Sequence, residues 1–119
     1  MSKTVHWSDG TDWTVDDETY RRALECLEAV QEPVWGLEPI LSRWASQPGS
    51  ARVEVDVFAP SEDDRAIVTA GLERAVEHAK RSGCEGLGMN DPREFGAFVE
   101  ALSRLHELFV TDVTHKLSR

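Results

Sequence analysis

Glu54 and Asp56 stand two residues apart in the alternating run Arg52-Val53-Glu54-Val55-Asp56-Val57-Phe58, and His6 and Asp12 flank an Asp-Gly turn signal in VHWSDGTDWTV, residues 5–15. Residues two apart on a strand face the same way. Two carboxylates so placed, joined by a histidine and a third carboxylate from a neighbouring strand, supply the donors of a divalent-metal site. A metal held there activates water for phosphoester hydrolysis. The set of His6, Asp12, Glu54 and Asp56 contains no lysine or arginine to steady a phosphate, which weighs against that chemistry. The same side chains also fit the solvated face of a half-exposed sheet, or an acidic surface that docks a cationic partner.

Charge separates these readings. The net charge is −9, and it is unevenly placed: residues 1–64 carry 14 acids and 5 bases, whereas residues 65–119 carry 8 of each. An acidic field repels phosphate backbones and anionic lipid and attracts basic protein. Direct nucleic-acid binding, which rests on basic neutralisation of phosphates, is therefore disfavoured. The acids of the docking reading are Asp12, Glu54 and Asp56 from the strands and Glu62 and Asp63 from a following helix start, with Phe58 and Trp35 as aromatic contacts. Glu62 and Asp63 also serve a simpler purpose, since acids belong in the first turn of a helix.

The elements that must position these residues follow from turn chemistry and periodicity. A two-residue turn at Asp9-Gly10 would scramble the hairpin faces. A three-residue loop Ser8-Asp9-Gly10, with glycine left-handed, instead pairs Val5 with Trp13 and Trp7 with Thr11. Val5, Trp7, Trp13 and Val15 then share one face and Thr4, His6, Asp12 and Thr14 the other. Helical spacing of apolar residues predicts helices near 17–31 and 38–46, with a loop at 47–50. The run 52–58 alternates as a strand, with Val53, Val55 and Val57 inward and Glu54, Asp56 and Phe58 outward. Ser61 caps a third helix with stripe Ile67, Val68, Gly71, Leu72, Ala75, Val76 and Ala79, stopped by Gly83. Residues 84–89 are a short strand or a loop. Asp91-Pro92-Arg93-Glu94 opens a last helix from 92 to about 110, or further with a break, with Phe95, Val99, Leu102, Leu105, Phe109 and Val113 on its apolar side.

Other reactive types read as structural. Gly83, Gly86 and Gly88 precede a helix whose first turn holds Asp91 and Glu94, which would repel a phosphate. His106 falls in the middle of an apolar stripe and His78 at the edge of one. Cys26 and Cys84 have neither metal-ligand nor redox spacing, and neither can be tied to a histidine. Of the four tryptophans, Trp7, Trp13 and Trp44 read as core, and Trp35 as the one set beside acids in a loop.

The order ββααβα(β)α predicts one α+β domain over residues 1–119. A small, mostly antiparallel sheet, built of the N-terminal hairpin plus one or two further strands, is packed on one face by about four helices. At 119 residues, roughly two-thirds of the unfolded surface is buried without a metal or disulfide. With no bilayer-length apolar run and no signal-like start, the expected compartment is cytoplasmic. The expected function is a non-enzymatic protein-binding module without cofactor, either monomer or homodimer. In its concrete form it is an immunity or antitoxin-like inhibitor that covers the cleft of a basic toxin or nuclease. The alternatives are the metal-dependent hydrolase on His6, Asp12, Glu54 and Asp56, and a homo-oligomeric structural module.

Overall fold

In a computed structural model, which describes residues 2–46 and 52–117 and side chains as far as residue 114, the chain opens with strands β1 (Ser2–His6) and β2 (Asp12–Asp16). Val5 lies opposite Trp13, and the Trp7 amide donates to the Thr11 carbonyl at 2.9 Å, which is the register expected of a three-residue loop. Gly10 adopts φ 97°, and Asp9 Oδ1 accepts from the Thr11 amide at 2.9 Å. Val5, Trp7 and Trp13 are buried. On the other face Thr4 and Thr14 share a hydrogen bond of 2.9 Å.

Helix α1 (Asp17–Val30) follows directly, capped by Asp16, whose Oδ1 accepts from the Thr19 amide at 2.7 Å. That bond and the Thr19 hydroxyl hold the Asp16 carboxyl below its ordinary range. Helix α2 (Leu37–Ala45) buries Leu37, Ile40, Leu41 and Trp44. The loop expected at 47–50 lies outside the described residues.

Strand β3 (Arg52–Glu54) pairs with β1 in parallel, Val5 opposite Val53 and His6 opposite Glu54, so the strand order is β2-β1-β3. The sheet is therefore mixed rather than mostly antiparallel. A parallel pair needs a long crossover, and α1 with α2 provides it.

The strand expected over 52–58 stops after Glu54, and Val55–Phe58 winds into a one-turn helix, α3. Packing explains the switch. Strand alternation would put Val57 inward and Phe58 out, whereas a helical turn brings Val55 and Phe58, three apart, to one side. Both are fully buried, and Val57 is left 55% exposed. Phe58 stacks on Trp44 at 4.2 Å between centroids. The larger ring goes inside.

Helix α4 (Glu62–Gly86) is capped by Ser61, whose hydroxyl accepts from the Asp64 amide at 3.1 Å. Its regular path breaks at Gly83, with φ 70° and ψ −177°. Residues 84–86 add one further turn, closed by the Met89 amide on the Cys84 carbonyl at 2.9 Å. No strand forms over 84–89. Helix α5 (Pro92–Leu117) takes the longer of the two expected extents, continuing past 110, and buries Phe98, Leu102, Leu105 and Phe109. Phe95 and Val99 are only partly buried.

The result is an α+β fold with a three-stranded mixed sheet and five helices among the described residues. Two core indoles are anchored by hydrogen bonds: Trp13 Nε1 donates to the Ala101 carbonyl at 2.9 Å, and Trp44 Nε1 to Tyr20 Oη at 2.7 Å. Trp7 differs. Its indole N–H is buried with no acceptor among the described residues, and its ring meets Phe109 edge-on at 5.0 Å. Among the described residues no helix is long and apolar enough to cross a membrane.

Candidate protein-binding surface

The sheet does bring three of the four residues of the metal reading onto one rung. His6 on the central strand has Asp12 on one side and Glu54 on the other. Their side chains then go separate ways: Asp12 takes His6 Nδ1, and Glu54 pairs with Arg52 at 2.9 Å. Asp56 leaves the sheet altogether with α3. Among the described residues no group of three or more His, Cys, Asp or Glu side chains is gathered to hold a metal ion. The four-residue cluster expected from strand alternation is not formed, because it required a strand that ends two residues too soon.

Asp56 belongs to a different arrangement, centred on Arg65. Among the described residues this side chain is the buried charged group of the core, only 4% exposed. Its Nε donates to the Ala59 carbonyl at 2.9 Å, one terminal nitrogen reaches Asp56, and the other reaches Asp112 at 3.3 Å. Buried charge persists only when paired and hydrogen-bonded, and here the pairing ties α3 and α5 to α4. A nearby clasp links α2 to the same region: Arg43 donates to the Phe58 carbonyl at 3.2 Å and pairs with Asp64 at 3.4 Å. Position 65 is in phase with Val68 and Leu72, at i, i+3 and i+7. A lone arginine on an apolar stripe is the signal that sequence reasoning passed over.

The expected docking set is therefore divided. Phe58 is in the core rather than on the surface, Asp56 is held by Arg65, and Glu54 by Arg52. Asp12 is exposed but in contact with His6. Glu62 and Asp63 are exposed in the first turn of α4, and Trp35 is 90% exposed.

Trp35 owes its position to its neighbours. The α1–α2 connection makes two successive tight turns, the Val34 amide donating to the Gln31 carbonyl and the Leu37 amide to the Val34 carbonyl, each at 3.2 Å. Val34 and Leu37 are buried on either side, which leaves the intervening ring no inward path. Gly36 closes the second turn at φ 87°, and a β-carbon on it would stand 3.0 Å from Ile67 Cδ1. The turn thus rests on α4. Asp63 precedes Ile67 by four residues and shares its face of that helix. Gly36→Ala is expected to destabilise the fold by roughly 1–2 kcal/mol from the left-handed backbone alone, read as a lowered midpoint in urea unfolding.

One further pairing appears only in three dimensions. Cys26 and His78 line the same cavity of about 200 Å³, together with Arg22 and Glu25. Burial, with Glu25 adding to it and Arg22 opposing, pushes the Cys26 thiol up to about 11. At neutral pH it stays protonated, and the thiolate is the nucleophile. A cleft of about 320 Å³ is lined by residues of α1 and α5 together with Val15 and Met89. Arg22 in its lining is already engaged by Glu18 at 3.0 Å and the Leu87 carbonyl at 2.7 Å. Neither cavity presents an activated nucleophile beside a base. Trp35, 90% exposed, is a large apolar group that the packing of the fold leaves in solvent. Comparison with known proteins adds no relative to argue from, since no family model, curated protein or solved structure matches the chain.

Proposed function

We propose that this chain is a small protein-binding module that performs no chemistry of its own and takes a basic protein as its partner. The observation that carries the reading is Trp35, an indole 90% exposed within the half of the chain that holds all of the excess negative charge. An aromatic ring left in water forgoes roughly 2–3 kcal/mol of burial. Partner binding recovers it, and tryptophan is among the residues that dominate interface energetics. Glu32, Glu38, Glu62 and Asp63, all exposed on the turn and on the facing end of α4, set the sign of the partner. Their field steers a cationic surface toward the indole and disfavours nucleic acid. The concrete form is an inhibitor of the immunity or antitoxin kind, covering the phosphate-binding cleft of a toxin or nuclease as a negative mimic.

Calorimetry with octa-arginine as a surrogate for such a cleft tests the reading. Binding is expected at 20 mM NaCl and at least about ten-fold weaker at 300 mM, because salt screens the attraction between exposed charges. Joint Glu62→Lys and Asp63→Lys substitution should weaken low-salt binding by a similar factor. No heat at 20 mM salt, or affinity indifferent to the double reversal, would remove the basis for the proposal.

A further inference from the structure

Helix α1 ends against the usual rule for helix charges. The C-terminal end of a helix carries partial negative charge and favours cations. Yet the last turn of α1 holds no base, Glu28 is exposed within it, and Glu32 is exposed just beyond its end. Trp35 follows in the double turn, and Glu38 stands exposed in the first turn of α2. No ion pair joins Glu28, Glu32 or Glu38 among the described residues. A helix's negative end, three carboxylates and the face of an indole are different features that each attract a cation. All of them fall between residues 28 and 38. Glu38 is accommodated by the positive end of α2, whereas Glu28 and Glu32 oppose the negative end of α1, where a cation would be favourable.

We propose that the α1–α2 turn is the anchor point for an arginine side chain of the basic partner. The guanidinium stacks on the Trp35 indole, with Glu32 and Glu38 as its counter-ions and the end of α1 behind them. Arginine fits better than lysine for a geometric reason. A planar guanidinium can lie flat on a ring while its in-plane N–H groups still point outward to carboxylates, whereas an ammonium is a compact, strongly hydrated point charge. The proposal rests on the reading of the chain as a binder of basic protein, and it locates and specifies that binding.

The test uses the full-length ¹⁵N-labelled protein at 20 mM NaCl, with acetyl-Gly-Arg-Gly-amide and its lysine counterpart as probes. The Trp35 indole N–H resonance is assigned by its loss in Trp35→Ala, a change at an exposed position that leaves the core untouched. The arginine probe is expected to shift that resonance and the amides of 32–38, and the lysine probe to shift them several-fold less. Octa-arginine should bind Trp35→Ala at least about ten-fold more weakly than the unaltered protein, with Trp35→Phe in between. If octa-arginine binds Trp35→Ala with unchanged affinity, the anchor is misplaced although the acidic-module reading stands. If it binds neither protein at low salt, both fall. Equal shifts from the two probes would overturn the preference for arginine.

Discussion

Phe58→Ala is expected to lower the free energy of unfolding by about 3–5 kcal/mol, whereas Val57→Ala should stay within about 0.5 kcal/mol of the parent. The contrast between neighbours is the point. Phe58 is fully buried against Trp44, and Val57 is 55% exposed. A strand running from 52 to 58 would invert the two effects, since alternation would place Val57 inward with Val53 and Val55 and turn Phe58 to solvent. Removing the phenyl ring also strips one side of the Trp44 stack and opens a cavity beside Phe109, whose ring lies 6.5 Å away. Urea unfolding of the two variants, with equal denaturant slopes confirming a comparable native state, gives the answer directly. A costly Val57→Ala with a benign Phe58→Ala would mean that the chain continues as a strand.

Arg65→Ala is the second large effect, with an expected loss of about 3–4 kcal/mol. Breaking a buried pair by deleting one partner leaves an uncompensated charge and typically costs 3–5 kcal/mol. The lower part of that range applies because Asp56 remains 49% exposed and can be hydrated, while Asp112, 13% exposed, cannot be to the same degree. The Ala59 carbonyl also loses its donor. Asp56→Asn should cost much less, about 1 kcal/mol, because Asp56 is half exposed, an amide oxygen can still accept from Arg65, and Asp112 keeps the guanidinium paired. A loss under 1 kcal/mol for Arg65→Ala would show that the clasp joining α3, α4 and α5 carries little stability. It would then return Asp56 to the pool of acids available to a partner.

These two residues mark where sequence pattern stops being informative. The hairpin register was legible because only one loop length keeps Val5, Trp7, Trp13 and Val15 on a common face. The starts of α4 and α5 were legible because Ser61 and Asp91 offer capping oxygens at the right offsets. The run 52–58 was misleading because perfect alternation is compatible with a strand, yet burial of Phe58 against Trp44 is a tertiary gain that no local pattern encodes. The parallel pairing of β3 was likewise invisible, since strand direction depends on where the crossover helices deliver the chain. The acidic surface was legible in composition but not in place: arginines at 52 and 65 pair with Glu54 and Asp56, and the exposed acids nearest the Trp35 indole in the chain are Glu32 and Glu38, with Glu62 and Asp63 at the start of α4. Trp35 itself was readable from its setting, a ring between Pro33 and Gly36 with acids on both sides.

An exposed indole, and carboxylates at the end of a helix that make no ion pair among the described residues, fit a surface shaped for something other than the chain's own stability. Natural folds tend to break local rules at functional sites, and the end of α1 breaks one. The most direct measurement is the ¹H–¹⁵N spectrum of the labelled protein with and without octa-arginine at 20 mM NaCl. The account predicts that shifted amides concentrate at 28–38 and 61–67 and that the hairpin amides of β1 and β2 hold their positions. Shifts centred on Thr4, His6, Asp12 and Thr14, or a spectrum left unmoved, would contradict it.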